Sequence, residues 1–158
     1  MSEADPSGNG SISSLRLLWR HRARVIEALA WLLLSRALIG LAPFQRWEPW
    51  LGKRVPVAPE PNPAPSNPAT SLRARRIGRA VDQAANRLPM VMKCLPRAMA
   101  TQWMLRRRKV ASRLLIGVLP PGQRGTADDL HAWVVVGTET VIGELGDAHR
   151  PVLALKGG

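Results

Sequence analysis

Apolar residues recur near helical spacing at Leu15, Leu18, Ile26, Leu29, Leu33 and Leu41, which predicts a helix from about Ser13 to Leu41 that Pro43 ends. Its first half is basic, with Arg20, His21, Arg22 and Arg24, and its second half is apolar enough that one face must be buried somewhere. Residues 1–12, rich in Ser and Gly, predict disorder. From Val55 to Thr70 the periodicity vanishes. Six prolines fall between Pro56 and Pro68, and the interleaved Asn and Ala predict an extended linker. Periodicity returns at Ser71, a suitable N-cap, for a helix to about Leu88 with Ile77, Val81 and Ala84 on one side and arginines on the other, closed by Pro89. A third helix starts at or just before Cys94, with Pro96 in its first turn, and runs through Ala98, Met99, Trp103 and Leu105 to a basic end at Arg106 to Lys109.

After Val110 the period changes from helical to alternating. Leu114 to Leu119 predicts a strand, Pro120 to Asp129 a polar loop and His131 to Val136 a second strand. Gly137 and Thr138 suit a tight turn, from which Val141 to Leu145 returns antiparallel and sets His131 opposite Glu144. The pattern is α+β, with N-terminal helices followed by a small antiparallel sheet. It divides the chain into a disordered start (1–12), an apolar and basic helical region (13–54), the proline-rich linker (55–70) and a folded core (71–158).

Composition narrows the function. The 158 residues suffice for one domain. Lys and Arg outnumber Asp and Glu by 23 to 11, a formal charge of +12, which suits an acidic partner, an anionic membrane surface or nucleic acid. The absence of Tyr and a single Phe leave few stacking platforms for bases, so the basic runs around Arg73 to Arg79 and Arg106 to Lys109 argue weakly for nucleic acid and no nucleic-acid partner is expected. Glu27 and Arg36 inside the apolar stretch count against a membrane span, while a peripheral membrane contact through residues 25–44 remains compatible. With no cleavable signal pattern, the expected compartment is the cytoplasm, with or without membrane association.

The single cysteine, Cys94, excludes an intramolecular disulfide and a cysteine-rich metal site, leaving either inert packing or chemistry. A thiolate is the reactive form of cysteine, and a helix N-terminus and a nearby imidazole both stabilise it. Cys94 has the first by position, and His131 can supply the second from a strand. A histidine base needs an acceptor on its other nitrogen, for which Glu144 is the first candidate and Asp147 the alternative. His21 and His149 lack metal-ligand spacing, the group Asp128, Asp129 and His131 makes a poor metal cluster, and no metal or cofactor is expected.

The stretches Cys94-Leu95-Pro96-Arg97-Ala98, Gln102-Trp103-Met104-Leu105-Arg106-Arg107-Arg108, Leu115-Ile116-Gly117-Val118 and His131-Ala132-Trp133-Val134, in this order and spacing, resemble the transglutaminase-like B proteins of lasso-peptide biosynthesis. The resemblance reaches upstream through Arg36 to Phe44 and Ala80 to Pro89, covering about Leu15 to Leu153. It implies a papain/transglutaminase-like fold and a Cys-His-acid triad that removes the leader from a ribosomally made precursor, with Cys94 as nucleophile and His131 as base. The family's third member is commonly Asp after the His strand, whereas Gly143-Glu144 stands at that place here. Arg97 and Trp133 are the candidate substrate-binding residues. Some members of the family carry a leader-recognition domain ahead of the protease. The apolar helix and proline linker resemble instead the stand-alone form, which implies a precursor peptide, a separate leader-binding protein and the lasso cyclase as partners.

Overall fold

A computed structural model describes residues 8–58, 67–125, 129–143 and 149–157. In chain order these form α1 (Gly8–Leu41), α2 (Phe44–Leu51), β1 (Lys53–Val55), α3 (Pro68–Arg87), α4 (Cys94–Arg106), β2 (Ser112–Val118), a 3-10 turn at Pro121–Gln123, β3 (Leu130–Val136), β4 (Glu139–Ile142) and β5 (Arg150–Gly157). The strands make one antiparallel sheet in the order β1-β5-β2-β3-β4. The architecture is the expected α+β arrangement, helices first and sheet afterwards.

Each helix follows from a local signal. Val25, Ala28, Leu32 and Ser35 form the buried side of α1, which packs on α3 and α4. Helix α3 buries Ala74, Ile77, Val81, Ala84 and Ala85 and turns its arginines outward. Its cap is Asn67, whose side chain accepts from the Ala69 N–H at 3.0 Å, and Pro68 takes the first helical position, so the helix starts three residues before the expected Ser71. Helix α1 likewise starts at Gly8, inside the segment expected to be disordered, and a second helix, α2, follows Pro43 within the region expected to be helical.

Helix α4 is the centre of the molecule. From Ala98 to Leu105 every residue is buried, because α1 and α3 cover one side and β2, β3 and β5 the other. Its only amide side chain there, Gln102, is fully used: Nε2 donates to the Leu51 and Leu155 carbonyls, both at 3.1 Å, and Oε1 accepts from the Ser112 hydroxyl at 2.9 Å. One side chain thereby ties α4 to α2, β5 and β2.

The expected separation of residues 13–54 from 71–158 is not a separation in space. Helix α1 supplies part of the main core, and β1 is an edge strand of the sheet, paired with β5 from Lys53↔Lys156 to Val55↔Ala154. Of the expected linker, Val55 is a strand residue, residues 59–66 lie outside the described residues and Pro68 to Thr70 are helical. β5, for which no expectation was formed, sits between β1 and β2. The basic end of α4 closes onto α1: Arg108 holds both oxygens of Glu27, at 2.6 and 3.1 Å, and Arg107 approaches at 3.2 Å. Among the described residues no helix is long and apolar enough to cross a membrane.

Two measurements test these ties. Gln102→Leu strands two buried carbonyls and a hydroxyl, and is expected to cost about 2–3 kcal/mol in urea unfolding; an unchanged midpoint would contradict the role given to the amide. Burial raises the Glu27 pKa, but the hydrogen bond and charge of Arg108, then the charge of Arg107, outweigh it and leave the carboxyl below the usual range. A depressed folded pKa means the contribution is complete above about pH 5 and fades as the pH falls through the folded value. The stability gap between wild type and Glu27→Gln should therefore be constant at higher pH and shrink below it.

Candidate active site

Cys94 opens α4. Lys93, the residue before it, is extended (φ −65°, ψ 176°), and no side chain caps the turn. Pro96 has no N–H, so the N–H groups of Cys94 and Leu95 are the donors left at this helix end. The cysteine is partly exposed, in contrast with the buried residues that follow from Ala98. Its thiol donates to the carbonyl of Leu130, the residue before His131, at 3.8 Å.

Cys94 and His131 line one cleft of about 330 Å³, together with Asp82, Met92, Arg97, Ile142 and Gly143. The helix end and the strand expected to carry these two side chains both reach the same opening. β3 alternates as expected, but Ala132, Val134 and Val136 face the helices. Trp133 and Val135 belong to a smaller cluster on the other face, with Leu115 and Ala154. His131 shares their parity and sits at the start of its strand, where β4 has already ended at Ile142.

The imidazole is held on two sides. It stacks on Trp133, with ring centroids 6.0 Å apart and planes 21° from parallel, and Trp133 lies over Gly117, where a Cβ would meet the indole ring at 2.9 Å. A glycine on β2 is thus what makes room for the flat surface behind the histidine. At the edge, Nε2 is 3.3 Å from the Gly143 carbonyl oxygen. A carbonyl only accepts, so this contact places the proton on Nε2 and leaves Nδ1 as the basic nitrogen. Gly143 reaches this position with φ +77°, and a Cβ there would meet the Ala132 carbonyl oxygen at 2.6 Å. The His149 ring lies 5.2 Å from that of His131, brought there by β5. Neither Gly143 nor His149 was among the expected site residues; the glycine before Glu144 was the one available signal.

Several expectations change. The two-residue turn at Gly137 and Thr138 holds, with Val136↔Glu139 and Val135↔Thr140, but the register then shifts by one and pairs Val134 with Ile142. The strand expected over Val141 to Leu145 is therefore Glu139–Ile142, and the His131 to Glu144 pairing drawn from an unbroken ladder does not follow from this register. Glu144 and Asp147 themselves lie outside the described residues. Trp133 is 4% exposed and does not line the cleft, so it supports the imidazole rather than meeting substrate. Arg97 does line the cleft, but its guanidinium is committed: Nε donates to the Met92 carbonyl at 3.0 Å, NH1 to Asp82 at 3.0 Å and NH2 to Asn86 at 3.2 Å. It clasps the chain before Cys94 to α3. Among the described residues no group of three His, Cys, Asp or Glu side chains is placed to hold a metal ion.

Side-chain nitrogen NMR of the neutral ring is expected to show His131 as the Nε2–H tautomer. Gly143→Ala, which displaces the acceptor, should mix the tautomers; a wild-type ring protonated on Nδ1 would contradict the assignment.

A cysteine at the start of a buried helix, with a histidine across the cleft on an antiparallel sheet, is an arrangement compatible with acyl chemistry through a thioester. The family pattern described as Transglutaminase-like superfamily matches residues 36–153, from the C-terminal end of α1 into β5. Neither the curated proteins nor the solved structures contain a significant match to the chain. The match spans most of the sequence and takes in Cys94, His131 and every strand but the end of the last, and the chain therefore belongs to the transglutaminase-like superfamily.

Proposed function

We propose that this protein is a cysteine peptidase that removes the leader peptide from a lasso-peptide precursor. The observation that carries the peptidase reading is the placement of Cys94 and His131 around one cleft, with uncapped N–H groups at the helix end beside the sulfur. The lasso-peptide assignment rests on the sequence resemblance in the Cys94 and His131 blocks.

In this reading the Cys94 sulfur attacks the carbonyl at the junction of leader and core, and its proton passes to His131. The N–H groups of Cys94 and Leu95 receive the developing oxyanion. The imidazolium then protonates the departing amine, the C–N bond breaks and the leader remains as a thioester. His131 next takes a proton from water, which attacks the thioester and releases the leader as a carboxylic acid and the thiol in its starting form. The freed amine of the core is the group a separate cyclase joins into a lactam. Gly143 O holds Nε2 throughout, and either Glu144 or Asp147 adds the negative charge that supports the imidazolium. The precursor is delivered by a separate leader-binding protein, in the cytoplasm.

Acyl transfer is the second reading, because the same thioester passes to an amine in place of water where water is excluded. Mass spectrometry of the products distinguishes the two: hydrolysis gives free leader acid, transfer an amide-linked product.

Incubated with precursor and leader-binding protein, Cys94→Ala is expected to release no leader while melting like wild type, and full cleavage by that variant would end the proposal. Of Glu144→Gln and Asp147→Asn, the substitution that removes the supporting charge should lose about 100-fold or more in rate and the other little.

A further inference from the structure

Helix α1 is apolar on two opposite sides. The inner side is buried against α3 and α4, as described. On the outer side Trp19, Ile26, Leu33 and Leu41 are 73%, 67%, 48% and 86% exposed. Trp19, Ile26 and Leu33 are seven residues apart and so stand in one row, and Ala23, Ala30 and Ala37, also exposed, fill the row between and beyond them. From Trp19 to Leu41 the stripe extends about 33 Å at 1.5 Å per residue. A helix that ends its burial at the molecular surface ordinarily turns polar residues outward. Here the charged residues instead border the stripe or point away from it: Glu27 is taken up by Arg107 and Arg108, and Arg20, Arg22 and Arg36 are exposed along its margins.

The margins are strongly cationic. Beside the N-terminal half of α1, burial and then the charges of Arg76, Arg108 and Arg20 press on the guanidinium of Arg24. Among the described residues Glu27 is the one carboxylate ion-paired within this group. The stripe is a convex ridge one helix wide, with a tryptophan near one end and arginines on both sides. A second copy of this helix would cover the apolar row but set arginines against arginines. Nucleic acid would answer the arginines and leave the row bare. A flat surface that offers phosphates above hydrocarbon answers both, with the arginine stems lying along the row and their heads at the phosphates.

From this juxtaposition we propose that the outer face of α1 lies in the plane of an anionic lipid surface, the row from Trp19 to Leu41 set into the boundary between headgroups and acyl chains. The proposal is independent of the peptidase reading. It is tested by co-sedimenting the full chain with vesicles of phosphatidylglycerol and phosphatidylcholine, and with vesicles of phosphatidylcholine alone. Binding to the mixed vesicles is expected to be at least tenfold tighter and to weaken as salt is raised. Ile26→Glu with Leu33→Glu, both exposed positions, should lose at least tenfold while keeping the wild-type circular dichroism. Arg22→Gln with Arg36→Gln, which leaves the apolar row intact, should lose affinity for the mixed vesicles only. Failure of the wild type to bind mixed vesicles, equal binding to neutral ones, or undiminished binding by the glutamate pair would each overturn the proposal. A wild-type dimer that ignores vesicles and is dissolved by the glutamate pair would overturn it in favour of a second copy of this chain.

Discussion

The burial of α4 along its length, with one end left open, is the constraint on which the rest of the structure depends. A helix enclosed by α1, α3 and three strands has no freedom to slide or rotate, because Gln102 is bonded to elements on several sides at once. Its first residue is therefore held at a defined point of the surface. That residue is Cys94, and the donors an uncapped helix start provides stand beside it. The packed part of the helix fixes the position, and the unpacked end opens onto the cleft.

The histidine is positioned by a different means. His131 lies near the start of a strand, where side-chain packing alone would leave a ring free to turn. Two glycines restrict it. Gly117 lets Trp133 lie flat across the sheet as a wall, and Gly143, with a backbone few other residues adopt, aims its carbonyl at Nε2. The register shift after Thr140 helps to bring that carbonyl to the imidazole. The acceptor on the ring is thus main chain, and its direction is set by the fold rather than by a rotamer. Arg97 fixes the facing wall in the same manner by binding the Met92 carbonyl and two side chains of α3. The cleft is consequently shaped on both sides by the fold itself.

Much of this was legible in the sequence because it is local. The start of α4 at Cys94, the helical face of Ile77, Val81 and Ala84, the alternation from His131 to Val136 and the turn at Gly137 and Thr138 are all set by neighbours within a few residues, through caps, prolines and side-chain period. Less local features were misjudged. A proline-rich stretch was taken to separate an N-terminal region from the core, whereas α1 and β1 are built into it. β5 was not anticipated, since Pro151 to Lys156 resembles a tail until β1 and β2 are placed on either side of it. Trp133 was expected to meet substrate, and only Gly117, on the neighbouring strand, shows that its ring is packed behind the histidine instead.

What the sequence alone determined is the chemistry available and its local setting: one cysteine at the head of a helix, one histidine on a strand, and an excess of arginine. What only the tertiary structure decided is their relation: that the two meet in one cleft, that a backbone carbonyl orients the imidazole, and that Arg97 is occupied. The physical reason is range. Caps and periodicities act over a single turn or pair of strands, while the pairing of β5, the shift in β4 and the enclosure of α4 are contacts between residues far apart in the chain, chosen by which surfaces can be buried together.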